Sequence, residues 1–490
     1  METIMKQELE TYFDRFRKNI IGNDTEFTLV TGERKRVIYA DWIASGRLYG
    51  PIEEKLMTEI GPYVSNPHSY SSHVGQRITH AYNDAREIIR RHVNASEEDA
   101  LVAVGSGMTG ALMRLQEIMG IKDPEKKYDR PEERPVVFIS HMEHHSNHVS
   151  WQETAAEVVL LPPGKDNLVD PAELEKALAK YEGRSLKIGA FTACSNVTGI
   201  ITPYHELAEI MHRYGGYCFV DFAASAPYVE MNMHPENSDQ SLDAITFSPH
   251  KFLGGPGGAG ILVFDKKLHK GRPTVPGGGN VKWTNPWGDF GYASDVEVME
   301  DGGTPGFMQT IKAALAIRLK EQMNPALMKE RELQLLHKAY ARLSEIPEVE
   351  IVGGANPELP RIGALSFNIR GLHYNLVVRL LNDYYGIQTR GGWSCASTYC
   401  HFLFDMDEDH SSALTRSIEN SDMTGKPGWV RVSLHPTMTD QELEYILDAI
   451  AEVVMKGQEW GVDYRYEPGN NEYLPVKESD RESHEDLLEL

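Results

Sequence analysis

Cysteine is scarce in this chain: four residues in 490, Cys194, Cys218, Cys395 and Cys400. That number excludes a disulfide framework in a protein of this length and points to a reducing compartment, the cytoplasm. No apolar run is long enough for a membrane span. The opening METIMKQELETYFDRFRKNI carries charges every few positions where a signal peptide would need an apolar centre. Positive charge is also short. Lys and Arg number 49 against 72 Asp and Glu, a formal net charge of −23, which argues against nucleic-acid binding because phosphate contact needs clustered cations. Internal repeats and low-complexity linkers are missing. With 41% hydrophobic and 25% charged residues, the composition favours neither disorder nor a fibrous fold.

What is present is an alternation. Between about residues 100 and 265 the apolar runs ALVAV, VVFIS, VVLL, IGAFTA, CFVDF, AITFS and AGILVF are separated by amphipathic stretches. Several runs are apolar on both faces, as strands are when helices cover both sides of a parallel sheet. One intervening helix is predicted from Pro203 to Tyr214, stopped by Gly215 and Gly216. An α/β domain follows. From Met308 to about Leu343 the pattern reads as one long helix. ALSFNI, a helix over Asn375 to Tyr385, WVRVSL and a last helix capped by Thr439 and Glu442 then make a smaller α+β lobe. The expected division is an N-terminal segment 1–60 packed on the small domain, a large domain 61–307, a small domain 308–465 and an acidic solvated tail 466–490.

Ligands of open α/β sheets bind beyond the carboxyl ends of the strands. GSGMTG, Gly105 to Gly110, follows the first run and opens a helix. It suits a helix N-terminus that grips one phosphate through backbone N–H groups, or a plain tight turn. HMEHHSNHVSW follows the second run. His144 and His148 have the i, i+4 spacing of metal ligands, but no second ligand cluster accompanies them, so no metal is expected. A histidine at a strand end can lie flat on a planar ring, or simply cap a helix. Asp221 ends a buried run and needs a cationic partner, either a salt bridge or a protonated ring nitrogen. Thirty residues later SPHKFLGGPGGAG delivers Lys251 among glycines that let backbone pass a ligand closely.

The set EHHSN, SNVTG, VDFAASAP, FSPHKFLGGPG, GGTP and RGGWSCA resembles the class V aminotransferase family of pyridoxal-phosphate enzymes, and among them cysteine desulfurases and selenocysteine lyases. The likeness runs in order from about Tyr39 to the final helix. It implies fold type I, a large domain with a mostly parallel sheet plus a smaller α+β C-terminal domain. It implies that Lys251 bonds covalently to the cofactor, Asp221 pairs with its ring nitrogen, His144 stacks on the ring and Asn196 lies near its phenolic oxygen. The phosphate would sit among Ser106, Gly107, Met108, Ser248 and His250. Thr304 would complete that site from the partner subunit, hence a homodimer. Arg390 and Arg431 would hold the α-carboxylate of an amino acid substrate, and Cys395 would accept its sulfur.

The implied reaction removes sulfur from L-cysteine, leaving alanine and a persulfide on Cys395 that a sulfur-acceptor protein could collect. The alternative is a class V aminotransferase, epimerase or lyase on another amino acid with no persulfide step. Three features depart from the family pattern. Ala224 stands where a glutamine is usual, Trp393 and Ser394 precede Cys395 where histidine is frequent, and the stretch from Tyr399 to Gly428 is longer than expected. That stretch suits a lid or a dimer contact.

Overall fold

The computed structural model describes residues 2–105, 107–354, 356 and 358–476. Ser106 and residues 477–490 of the expected tail lie outside the described residues. The seven short apolar runs become β1 (Asp99–Val104), β2 (Val136–Ile139), β3 (Glu157–Leu160), β4 (Lys187–Thr192), β5 (Tyr217–Asp221), β6 (Ala244–Phe247) and β7 (Gly260–Asp265). Their spatial order is β1-β7-β6-β5-β4-β2-β3. Strands β2 to β6 pair in parallel, and β7 runs antiparallel to both of its neighbours. Along β2, Val136 and Phe138 enter the core on one face while Val137 and Ile139 enter the core on the other. Burial on both faces is why these runs are continuously apolar. Each such side chain contributes roughly 1.5–3 kcal/mol of gross transfer free energy.

Helices α1 (Gly107–Ile118), α2 (His145–Gln152) and α3 (Tyr204–Arg213) connect these strands. The last ends where Gly215 adopts φ +68°, as the Gly-Gly stop predicts. The single long helix expected from Met308 to Leu343 is two helices, α4 (Phe307–Met323) and α5 (Pro325–Ser344). Pro325 cannot donate to the preceding turn. Asn324 turns the chain at φ +61° and caps α5 by accepting from Ala326 N at 3.1 Å.

The small lobe holds β8 (Val349–Ile351), β9 (Ala364–Ile369), α6 (Tyr374–Tyr385), β10 (Arg390–Gly392), α7 (Ser397–Leu403), α8 (Glu408–Glu419), β11 (Trp429–Ser433) and α9 (Asp440–Gly461). Its antiparallel sheet has the order β8-β9-β11-β10. Leu335, Leu380, Phe367, Val430 and Ile450 share its core. Thr439 and Glu442 form the predicted capping box at the start of α9. The long stretch after Cys395 becomes α7 and α8, and α8 buries none of its residues.

The N-terminal segment touches both lobes. Ile38 and Tyr39 pair in parallel with Ile387 and Gln388, and Arg17 meets Glu442 at 2.6 Å. On the large-lobe side, Gly46 N donates to His250 O at 2.9 Å. The start of the expected tail is corrected. β12 (Tyr464–Glu467) and β13 (Glu472–Pro475) form a hairpin. It is tied to α6 by Tyr464 OH donating to Asp383 at 2.9 Å and Asn471 Nδ2 donating to Tyr374 OH at 2.7 Å. Aromatic residues give this stretch apolar surface to bury, which its charge had masked. Among the described residues no helix is long and apolar enough to cross a membrane.

Candidate active site

The ends of β4, β5 and β6 converge with the small lobe on one site. Asp221, the last residue of β5, is 5% exposed. One of its oxygens accepts from Ala223 N at 2.7 Å. Among the described residues it forms no ion pair, so burial pushes its carboxyl up to about 6, with Lys251 drawing it back. A buried carboxylate at this depth is costly without a cation.

Lys251 lies on the turn Pro249–Lys251 that follows β6. Burial pushes its ammonium down to about 8; Asp221 opposes the change, and Arg431, Cys395 and Arg390 also act on it. Those groups therefore lie within electrostatic reach of one amine. The glycines after Lys251 shape the turn: a Cβ on Gly255 would collide with the Pro249 carbonyl oxygen.

At the N-terminus of α1, Met108 N donates to Ser248 Oγ at 2.9 Å. Gly107 has φ +63°, and a Cβ there would sit 2.8 Å from His250 Cε1 and 3.0 Å from Ser248 Oγ. Gly107, Met108, Ser248 and His250 thus form one cradle with hydroxyl, imidazole and backbone N–H groups. Ser106 lies outside the described residues. Thr304 is exposed and makes no hydrogen bond to this cradle among the described residues.

His144 caps α2, its Nδ1 accepting from Ser146 N at 3.1 Å. Burial lowers its pKa to about 4, helped by Lys251, His145 and Arg431. The ring is therefore neutral near pH 7 with its proton on Nε2. The other histidines of the motif are engaged separately. His141 Nε2 meets Asn167 O at 2.9 Å, His145 Nε2 meets Ser397 Oγ at 2.7 Å, and His148 Nδ1 meets Thr398 Oγ1 at 3.0 Å.

Cys395 is exposed, whereas Cys194, Cys218 and Cys400 are buried. Burial pushes the Cys400 thiol up to about 12, which leaves it a poor nucleophile. Ser394 and Cys395 both take left-handed backbone, φ 50° and 58°. Asn196 Nδ2 donates to Ser394 O at 2.6 Å, Trp429 Nε1 to Ser394 Oγ at 3.2 Å, and His145 N to Cys395 O at 2.8 Å. Such a conformation costs energy for non-glycine residues and persists because its surroundings over-determine it. Asn196 therefore holds the Cys395 loop.

Two contributors had no clear signal in the sequence. Asp41 joins both expected carboxylate binders, its Oδ2 accepting from Arg390 Nε at 3.0 Å and its Oδ1 from Arg431 Nη2 at 2.9 Å. Arg431 also donates to Asn196 O at 2.9 Å. Glu143, beside His144, accepts from Ser140 Oγ at 2.5 Å, Asn147 Nδ2 at 2.7 Å and Thr192 N at 3.0 Å. It fastens the His144 turn to the end of β4, and burial pushes its carboxyl up to about 7. Its position in HMEHHSN could have flagged it; nothing near Asp41 hints at partners some 350 residues away.

The two-lobed fold, with a depressed lysine facing a strand-end carboxylate and a cradle for an anion, defines an α/β enzyme built for amine chemistry. Its family follows from the comparison of sequences: residues 38–446 match Aminotransferase class-V, and the chain belongs to that family. A curated relative from Halalkalibacterium halodurans, a probable cysteine desulfurase, is 30% identical over 377 residues, 75% of this chain and 86% of its own length. A cysteine desulfurase structure from Thermococcus onnurineus NA1 superposes with a TM-score of 0.71 at 25% identity, covering 90% of this chain and 98% of its own. One from Escherichia coli shares the fold at TM-score 0.65 and 24% identity, covering 86% and 95%.

Proposed function

We propose that the protein is a pyridoxal-phosphate-dependent cysteine desulfurase. It would take sulfur from L-cysteine, release alanine and carry a persulfide on Cys395. The single observation that supports this most is the presentation of the one exposed thiol, on a braced left-handed turn within electrostatic reach of Lys251, Arg390 and Arg431. The residues suit the cofactor. Asp221 forms no ion pair among the described residues, Lys251 has a depressed amine, and a Cβ at Gly107 would intrude on the anion cradle.

When bound, pyridoxal phosphate supplies an aldehyde for amines and a ring that accepts electrons. Asp221 would hold a proton on the ring nitrogen, and neutral His144 would cover one face of the ring. Gly107, Met108, Ser248 and His250 would take the phosphate. Arg390 would orient the substrate's α-carboxylate through its paired terminal N–H donors, with the buried Arg431 adding positive charge beside it. The Lys251 amine would remove the proton from the substrate's Cα. Cys395, as thiolate, would then attack the substrate's Sγ: an S–S bond forms, the Cβ–S bond breaks, and its electron pair and a proton end on the carbon that becomes the alanine methyl.

A dimer with Thr304 entering the neighbouring site belongs to the same proposal, as does a cytoplasmic, sulfur-acceptor-coupled role. The exposed Trp283, Trp287 and Phe290 on the hairpin before Thr304 support the dimer. A second reading, another class V reaction with no persulfide, draws on Ala224, a buried apolar residue where a hydrogen-bonding glutamine is usual. The experiment that decides is incubation of the purified protein with L-cysteine and a thiol reductant, measuring alanine and sulfide together. Cys395→Ser should cut both by more than about 10²-fold. Turnover that survives the substitution would select the second reading.

A further inference from the structure

β10 and β11 place Arg390 directly opposite Arg431 across the small-lobe sheet. Two like charges at opposed positions of an antiparallel pair destabilise it. A third strand position resolves the conflict. Ala40 N donates to Gln388 O at 2.9 Å, Ser433 N donates to Ala40 O at 2.7 Å, and Asp41 itself bridges to Ser433. The backbone of the N-terminal segment is thus wedged between the two chain stretches that carry the arginines. The Asp41 side chain then meets both guanidinium groups, at 3.0 Å and 2.9 Å.

The two arginines are held differently. Arg431 is 3% exposed in its side chain, with one terminal nitrogen on Asp41 and the other on Asn196 O. Arg390 is 51% exposed and is gripped through Nε. Its two terminal nitrogens make no hydrogen bond among the described residues, and they form the fork that matches a carboxylate. Two guanidinium groups and one carboxylate leave one unmatched positive charge, the charge that a single α-carboxylate neutralises.

We infer that Asp41 is a positioning and specificity residue: it aims Arg390 and Arg431 and limits their cluster to one net positive charge. The pocket therefore takes an amino acid with one carboxylate and an uncharged side chain, and disfavours one carrying a second acidic group. This rests on the reading of the pocket as an amino acid site, and it goes further by naming what sets its charge class.

The test uses protein purified with its cofactor, as wild type, Asp41→Asn and Asp41→Glu, each checked by thermal melting. Propionate and succinate serve as unreactive one- and two-carboxylate probes, their dissociation constants read by calorimetry. Asp41→Asn should raise the affinity for succinate relative to propionate about tenfold, and should raise KM for L-cysteine more than it lowers kcat. The ratio of kcat/KM for L-cysteine sulfinate to that for L-cysteine should rise in parallel. Asp41→Glu should keep the wild-type preference within about threefold. A folded Asp41→Asn protein with an unchanged probe ratio overturns the inference, and so does a loss confined to kcat. If neither Asp41→Asn nor Asp41→Ser folds, Asp41 is a fold determinant and the assignment falls. Absence of alanine and sulfide from wild type would remove the desulfurase reading alone, since the probe ratio needs no turnover.

Discussion

Asp221 is buried and Lys251 half-buried, and the loss of solvent drives them in opposite directions. It favours the neutral amine on the lysine, down to about 8, and the protonated acid on the aspartate, up to about 6. Near neutral pH the aspartate is mostly ionised, while an appreciable part of the lysine is already free base. Since only the free base attacks an aldehyde, capture of pyridoxal phosphate by the apoprotein should quicken about tenfold per pH unit below pH ~7.5 and level off above about pH 8. Stopped-flow absorbance would follow it. A rate still climbing towards the ordinary lysine value of 10.5 would show that the amine is not desolvated. Cys395 and Cys400 make the same point. They stand five residues apart, yet exposure leaves one thiol free to react while burial pushes the other up to about 12.

At the scale of elements, the start of α1 shows how little room the site has. Gly107 combines φ +63° with contact against His250 and Ser248, so Gly107→Ala would meet both a backbone penalty of about 1–2 kcal/mol and a steric one. The expected result is at least tenfold weaker cofactor retention on dialysis, about 1.4 kcal/mol, with most of the melting temperature preserved. α5 carries a different device. Its Glu332 is buried and accepts from Gly363 N at 2.9 Å; burial pushes its carboxyl from 4.5 up to about 8. The folded state thus binds this proton more tightly than the unfolded state. The stability it contributes is complete below the unfolded value and is lost as pH rises through about 8. Glu332→Gln keeps an acceptor for Gly363 N and removes that loss. It should melt about 2–4 °C above wild type near pH 9, with the gap closing near pH 5, in calorimetric scans.

For the whole molecule, the hairpin Val281–Thr284 and Phe290–Tyr292 leaves Trp287 85% exposed and Phe290 58% exposed. Exposed aromatics of this size gathered on one projection mark an interaction site. A doubled mass is expected in sedimentation, and Trp287→Asp with Phe290→Asp should shift it to the single-chain value with loss of bound cofactor. A wild-type protein that sediments as one chain would remove the proposed role of Thr304.

Much of this protein could be read along the chain. The strands of the large sheet were legible because residues buried on both faces must be apolar without interruption, and the α9 cap because it is a contact between neighbours in sequence. The approach of Asp221 to Lys251 was suggested by resemblance and by their positions after successive strands. Two readings failed for different reasons: the helix is broken by a local signal that was passed over, Pro325 behind the Asn324 cap, and the hairpin in the acidic tail is held by packing on α6. Asp41 between two arginines lay beyond any linear reading, because electrostatic pairing depends on distance in space, and only the folded sheet brings the Asp41 carboxylate within 3.0 Å of Arg390 and 2.9 Å of Arg431.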